Sequence, residues 1–222
     1  MSEALRALLT KLIDYAGMFP PAALGLAAAA RNYAAYREGE YGWMLGRFVA
    51  PVARAAEVDP RFPLSVIAAD RGSERAGEAE YMEVLVTGDL AGMGPRVKIR
   101  TGGATADAYP TAEELASFLC RAAAARVAFK ATAGLHHPLP APPMHGFVNL
   151  FLAASLAWHG GAEADVRATL GERAFAFGED AEWSGRRLSA AQIRTARAEF
   201  AISFGSCSFE EPVEDLKRLG WL

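Results

Sequence analysis

Cysteine is scarce: only Cys120 and Cys207 occur among 222 residues. The first falls inside a predicted helix and the second in a glycine-serine loop, which excludes a disulfide framework and a CxxC metal site and fits a reducing cytoplasm. An excess of positive charge is also lacking. The 23 lysines and arginines are outnumbered by 26 aspartates and glutamates, for a net charge of -3 and a pI of about 5.9. Without a basic field or a basic run, nucleic acid is not an expected partner. No apolar stretch reaches the roughly 18 residues of a membrane span, and "MSEALRALLTKLIDYAGMFPPA" has no apolar segment ending in a small-residue cleavage site. The expectation is a soluble, cytoplasmic protein with no membrane partner. Internal repeats and low-complexity linkers are absent as well.

The composition itself, 52% hydrophobic and 22% charged, is that of an ordinary globular chain. Its length suffices for one large core, and residues 1–222 are read as one α/β domain. Residues 3–14 and 22–37 carry alanine, leucine and tyrosine at helical spacing and read as two N-terminal helices separated by "GMFPPA". That connection reads as an ordinary one, with a lid or a contact in a homo-oligomer as alternatives. "WMLGRFVAP", "PLSVIAAD", "YMEVLVTGD" and "RVKIRTGG" follow as short β-rich runs, with a helical candidate in "VARAAEV". Thr111 with Glu114 forms a capping box that opens an alanine-rich helix to about Ala125, and "RVAFKATAG" follows as a strand. That is a βαβ unit, hence parallel neighbouring strands. "HGFVNLFLAASLAW" reads as an apolar helix. "AFAFGEDAEWSGRRL" reads as a strand with a turn at "GED". Ser189 with Gln192 caps another helix, "FAISFGSCSF" is a strand running into a loop, and "EPVEDLKRLG" is the closing helix. About seven strand candidates alternating with helices predict a TIM-barrel-like parallel barrel, irregular or incomplete, with an open doubly wound sheet as the other architecture.

Two of the strands contain lysine. Side chains alternate faces, so in "VKIRTGG" Lys98 and Arg100 share the face opposite Val97 and Ile99. In "VAFKATAG" Lys130 and Thr132 lie opposite Val127 and Phe129, and in "YMEVLVTG" Glu83 lies opposite Met82 and Val84. With the apolar faces against helices, Glu83, Lys98, Arg100 and Lys130 converge on the barrel interior. Unpaired charges there are costly, so they pair with one another, line a wet cavity or meet an anionic ligand. A structural ion-pair network is one reading. Three cations against one anion leave a local positive excess, which instead suits a phosphate or carboxylate. Two neighbouring lysines also suit amine nucleophilic chemistry, because a nearby cation leaves an amine neutral enough to attack a carbonyl.

The order of these motifs resembles the deoxyribose-phosphate aldolase family, in which a strand carrying K-x-x-T-G, a helix and a strand carrying K-A-S-G-G follow one another. "FGSCSF" is similar to that family's F-G-x-S-S phosphate-binding loop, and "MEVLV" to its strand bearing an acidic residue. The resemblance implies a TIM-barrel class I aldolase. By position, Lys98 would form the Schiff base, Lys130 would be the second lysine that tunes it, and Glu83 would stand for the acidic proton shuttle. Gly205, Ser206 and Ser208 would hold phosphate at the last helix; Thr101, Gly102 and Thr132, and Arg100 where the family is small or polar, are further candidate substrate contacts. No cofactor is implied, and the partner would be a small anionic metabolite. Only fifteen residues separate Glu83 from Lys98, too few for the strand-helix-strand the family places there, so one βα unit is missing.

Among the four histidines, His136, His137 and His145 cluster around a proline-rich loop. Adjacent His136 and His137 are expected to point apart, which argues against a metal site. "GLHHP" leaves the Lys130 strand at its carboxyl end, where catalytic loops of barrels sit. His136 or His137 is therefore a candidate acid-base group, with His136 taken first and His137 also a candidate substrate contact. The alternative is loop histidines bonded to backbone carbonyls. Cys207 has no surrounding pattern for a nucleophile, and Tyr33, Tyr36, Tyr41 and Trp43 read as packing at the barrel's end. Three functions follow as expectations. The first is an aldolase-like lyase acting on a phosphorylated or carboxylated carbonyl compound. The second is a non-aldolase barrel enzyme with a histidine base, and the third a noncatalytic anion-binding protein.

Overall fold

Helix α1 (Glu3–Leu9) is capped by Ser2, whose hydroxyl accepts from the Leu5 amide. The chain turns at Lys11, in the left-handed region at φ 49°, and enters a three-residue strand, β1 (Ile13–Tyr15). The predicted helix over residues 3–14 is therefore two elements. The computed structural model describes residues 1–67, 81–90, 96–103 and 105–222. After β1 come α2 (Leu26–Glu38), β2 (Leu45–Pro51), a 3-10 turn over Val52–Glu57 where "VARAAEV" suggested a helix, and β3 (Leu64–Ile67). The last three residues of "PLSVIAAD" lie outside the described residues. Strands β4 (Met82–Val84) and β5 (Arg96–Arg100) precede α3 (Ala112–Ala124), and β6 (Ala128–Thr132) completes the expected βαβ unit. The Thr111–Glu114 capping box is present at the start of α3.

Helix α4 (Phe147–Trp158) is apolar on every side and largely buried, while α5 (Glu163–Leu170) is an element the sequence reading did not identify. "AFAFGEDAEWSGRRL" forms an antiparallel three-stranded sheet of β7 (Ala176–Phe177), β8 (Asp180–Trp183) and β9 (Arg186–Ser189), where one strand and a turn were expected. Then follow α6 (Ala190–Glu199), opened by the Ser189–Gln192 capping box, β10 (Ala201–Ser206) and α7 (Glu210–Arg218).

Seven strands form one all-parallel sheet in the order β3-β2-β1-β10-β6-β5-β4. Starting at β1 and proceeding around, this is chain order, with no ladder between β3 and β4 among the described residues. A side-chain bond proves the curl. Lys130 on β6 reaches Ser65 on β3, with Nζ to Oγ at 3.0 Å. In a flat sheet those strands, four positions apart in the order, would be about 19 Å from each other. The sheet is thus an incomplete TIM-like barrel.

The barrel's outer face is apolar. Phe129 meets Phe118 of α3 at 5.7 Å between ring centroids and Phe151 of α4 at 6.3 Å, and Phe204 of β10 stacks on Phe147 at 5.1 Å. Burial of such aromatic surface, about 25 cal/mol per Å², is what holds these strands against the helices. Arg197 of α6 ties the end of α1 to the start of β10. Its buried guanidinium donates to the carbonyls of Leu8 at 2.9 Å and Thr10 at 3.1 Å, and to those of Ala201 and Ile202. These carbonyls offset the cost of burying the guanidinium charge.

Candidate functional site

Strand β1 exists to deliver one side chain. Asp14 is flanked by Ile13 and Tyr15, both buried, and is itself 2% exposed inside the barrel. Its Oδ1 accepts from the Arg47 amide at 2.8 Å. Its Oδ2 accepts from Ser203 Oγ at 2.8 Å and from Lys130 Nζ at 2.6 Å. Gly46 allows this approach, since a Cβ there would lie 2.4 Å from Asp14 Oδ1. Lys130, 1% exposed, is thereby held from three sides: the Asp14 carboxylate, the Ser65 hydroxyl and the Tyr81 ring, whose centroid lies 5.4 Å from Nζ. A buried ammonium needs such saturation of its donors.

Lys98 stands directly opposite Lys130 in the β5–β6 register and opposite Glu83 in the β4–β5 register. Its Nζ lies 2.6 Å from Glu83 Oε2, with side-chain exposures of 10% for the lysine and 42% for the glutamate. The structure therefore brings together Glu83, Lys98 and Lys130 as the strand alternation requires, and adds Asp14, Ser65 and Ser203. The expected positive excess changes accordingly. Asp14 matches Lys130, Glu83 matches Lys98, and only Arg100 remains, exposed and without an ion pair or hydrogen bond among the described residues.

The strand exits explain the paired glycines. Thr101 is fully buried, and its hydroxyl donates to the Ala133 carbonyl at 2.6 Å, with the Thr132 carbonyl at 3.3 Å. The Thr132 hydroxyl donates to the Ile99 carbonyl at 3.3 Å. Beyond them the two backbones touch. A Cβ on Gly102 would lie 2.7 Å from Gly134 Cα, and Gly134 has φ +72°. Thr101, Gly102 and Thr132 thus join the carboxyl ends of β5 and β6 to each other and set the height at which Lys98 and Lys130 stand.

His136 and His137 do not point apart; both rings turn to α7. His136 Nδ1 lies 3.0 Å from Glu211 Oε2 and His137 Nδ1 lies 2.5 Å from Asp215 Oδ2, carboxylates one helical turn apart. Asp215 also pairs with Arg218 at 2.6 Å. His145 bonds the Pro110 carbonyl at 2.7 Å. Among the described residues no group of three or more histidine, cysteine, aspartate or glutamate side chains is arranged to hold a metal ion. No described helix is long and apolar enough to cross a membrane.

The glycine-serine loop after β10 closes on itself. Ser206 Oγ donates to the Ser208 carbonyl at 2.6 Å, the Ser208 amide returns to Ser206 Oγ at 3.3 Å, and Ser208 Oγ accepts from the Glu211 amide at 3.1 Å. Gly205 pairs with Asp14 on one side and Thr132 on the other. Burial raises the Cys207 thiol above its ordinary value, so it is not a ready thiolate. The Tyr33 hydroxyl, also buried, is pushed up to about 12 by that burial; it donates to the Gly46 carbonyl at 2.6 Å, under the strand that touches Asp14. Comparison of the chain with family models, with curated proteins and with solved structures finds no match.

Proposed function

We propose that the protein is a small-molecule lyase of the class I aldolase kind, in which Lys98 forms a Schiff base with an anionic carbonyl compound. The observation that carries this is the in-register pair of lysines on β5 and β6, the more open of which has a carboxylate 2.6 Å from its Nζ. Lys130 is nearly sealed by Asp14 and Ser65, whereas Lys98 shares its edge with the half-exposed Glu83. Lys98 is therefore the amine a substrate meets.

In the forward steps Glu83 accepts a proton from the Lys98 ammonium, and the freed lone pair attacks the carbonyl carbon. Glu83 returns the proton to the carbinolamine oxygen, a second proton passes to it from the amine nitrogen, and it leaves as water, so that the iminium remains. The bond between the α and β carbons then breaks, its electron pair moves toward the iminium nitrogen to give an enamine, and the β-hydroxyl proton passes to Glu83 as an aldehyde departs. Protonation of the enamine and hydrolysis regenerate Lys98. Enamine formation makes the α-hydrogens of a ketone donor exchangeable. Incubation with pyruvate in deuterium oxide, followed by NMR, tests the proposal: exchange catalysed by the wild type and lost in Lys98→Ala supports it, and no exchange above buffer contradicts it.

A second reading draws on the His136–Glu211 pair. A carboxylate on Nδ1 orients the imidazole and leaves Nε2 as a base, the arrangement a proton-transferring isomerase uses. Retention of turnover in Lys98→Ala together with its loss in His136→Ala would favour it.

A further inference from the structure

We infer that Arg100 is the anion-recognising residue of this site and that the anion is a carboxylate on a short oxo acid, not a phosphate at the start of α7. The inference rests on the Schiff-base reading for its geometry, and two features argue it. Arg100 follows Lys98 by two residues on β5, so it falls on the same strand face, about 6.6 Å further toward the carboxyl end. Lys98 and Lys130 are each matched by a carboxylate, so Arg100 supplies the cation at this edge that is neither buried nor engaged among the described residues. One planar guanidinium suits a carboxylate through two parallel N–H···O bonds.

The other end of the expected anion site is unsuited to a dianion. Glu210 and Glu211 occupy the first turn of α7. The Glu211 amide already donates to Ser208 Oγ, and the Glu211 carboxylate lies against His136. A phosphate placed there would face two carboxylates and displace the Glu211–Ser208 hydrogen bond. The short spacing between Lys98 and Arg100 favours a carboxylate close to the carbonyl, as in a 2-oxo acid.

Binding of pyruvate, of inorganic phosphate and of neutral propanal to the full chain separates the alternatives, read by titration calorimetry for the anions and by borohydride trapping for propanal. The expected result is pyruvate binding that weakens about tenfold or more in Arg100→Gln, an order set by losing a charged hydrogen-bonded pair. In Arg100→Lys, which keeps the charge without the fork, binding should be intermediate. Propanal trapping should be the same in wild type and Arg100→Gln, since it carries no anion. Pyruvate binding that is absent in wild type, or equal in wild type and Arg100→Gln, overturns the inference, as does phosphate binding tighter than pyruvate. Failure of propanal to form any adduct strikes only at the Schiff-base reading, while Arg100-dependent pyruvate binding would still uphold the carboxylate site.

Discussion

Lys98 and Lys130 face each other across the β5–β6 register, yet their ammonium groups answer to different carboxylates, each at 2.6 Å: Glu83 for the first and Asp14 for the second. The pairing makes the two lysines unequal. Lys130 sits among saturated partners at 1% exposure, and Lys98 at 8% lies beside a carboxylate that reaches solvent. The first belongs to the barrel's architecture and the second to its open edge.

That inequality predicts a difference in stability. Lys130→Met leaves Asp14 buried without its cation and should cost about 3–5 kcal/mol in urea unfolding. The double variant Asp14→Asn/Lys130→Met removes the stranded charge and should unfold at higher urea than the single variant. Equal midpoints for the two would mean that Asp14 buried without its cation carries no penalty, contradicting the account.

The glycine contact between strand exits predicts a second effect. Gly102→Ala puts a Cβ 2.7 Å from Gly134 Cα and 2.7 Å from a Tyr109 ring carbon. The collision is partly with backbone, so relief requires moving β5 and β6 apart, at a cost of about 1–3 kcal/mol. Gly205→Ala, where the nearest atom is 3.9 Å away, is the control and should change the melting temperature little.

Alkaline pH supplies a third. Burial holds Tyr33 protonated up to about 12 in the folded chain, against 10 for an ordinary tyrosine. The folded state therefore retains a proton that the unfolded state loses between those values. Its contribution is complete below pH 10 and is lost as pH rises toward 12, on the order of 2 kcal/mol. Tyr33→Phe should be less stable than wild type at pH 8, having lost the hydrogen bond to Gly46, but should fall less steeply from pH 10 to 11.5. Parallel slopes would contradict the assignment.

The histidine clasp gives a fourth. His137→Ala frees the segment after β6 from Asp215 and should raise hydrogen exchange in residues 134–137 while costing about 0.5–1.5 kcal/mol. Unchanged exchange there would show that the clasp does not restrain the segment.

Much of this arrangement was legible in the sequence. Both capping boxes, the β5–α3–β6 unit and the common face of Glu83, Lys98 and Lys130 follow from local chemistry: a hydroxyl three residues before a glutamate or glutamine, and strict alternation of charge with apolar side chains. Asp14 was not legible, for a physical reason. Strand β1 has three residues, all buried, too few to display a period of two, and the apolar spacing of α1 runs into it without a break. Its side-chain partners Lys130 and Ser203 lie 116 and 189 residues away, so the charge balance of the interior depends on closure of the barrel. The clasp escaped similarly, because Glu211 and Asp215 meet the histidines only through the packing of α7. Helix α5 was missed because eight residues flanked by glycines give two turns at most.

The most direct test of the central claim is peptide mapping by mass spectrometry after incubation with pyruvate or propanal and borohydride, for wild type, Lys98→Ala and Lys130→Ala. The account predicts a reduced adduct on Lys98 in wild type, none in Lys98→Ala, and an adduct still on Lys98 in whatever fraction of Lys130→Ala remains folded. An adduct on Lys130, or none on either lysine of the folded wild-type protein, would contradict it.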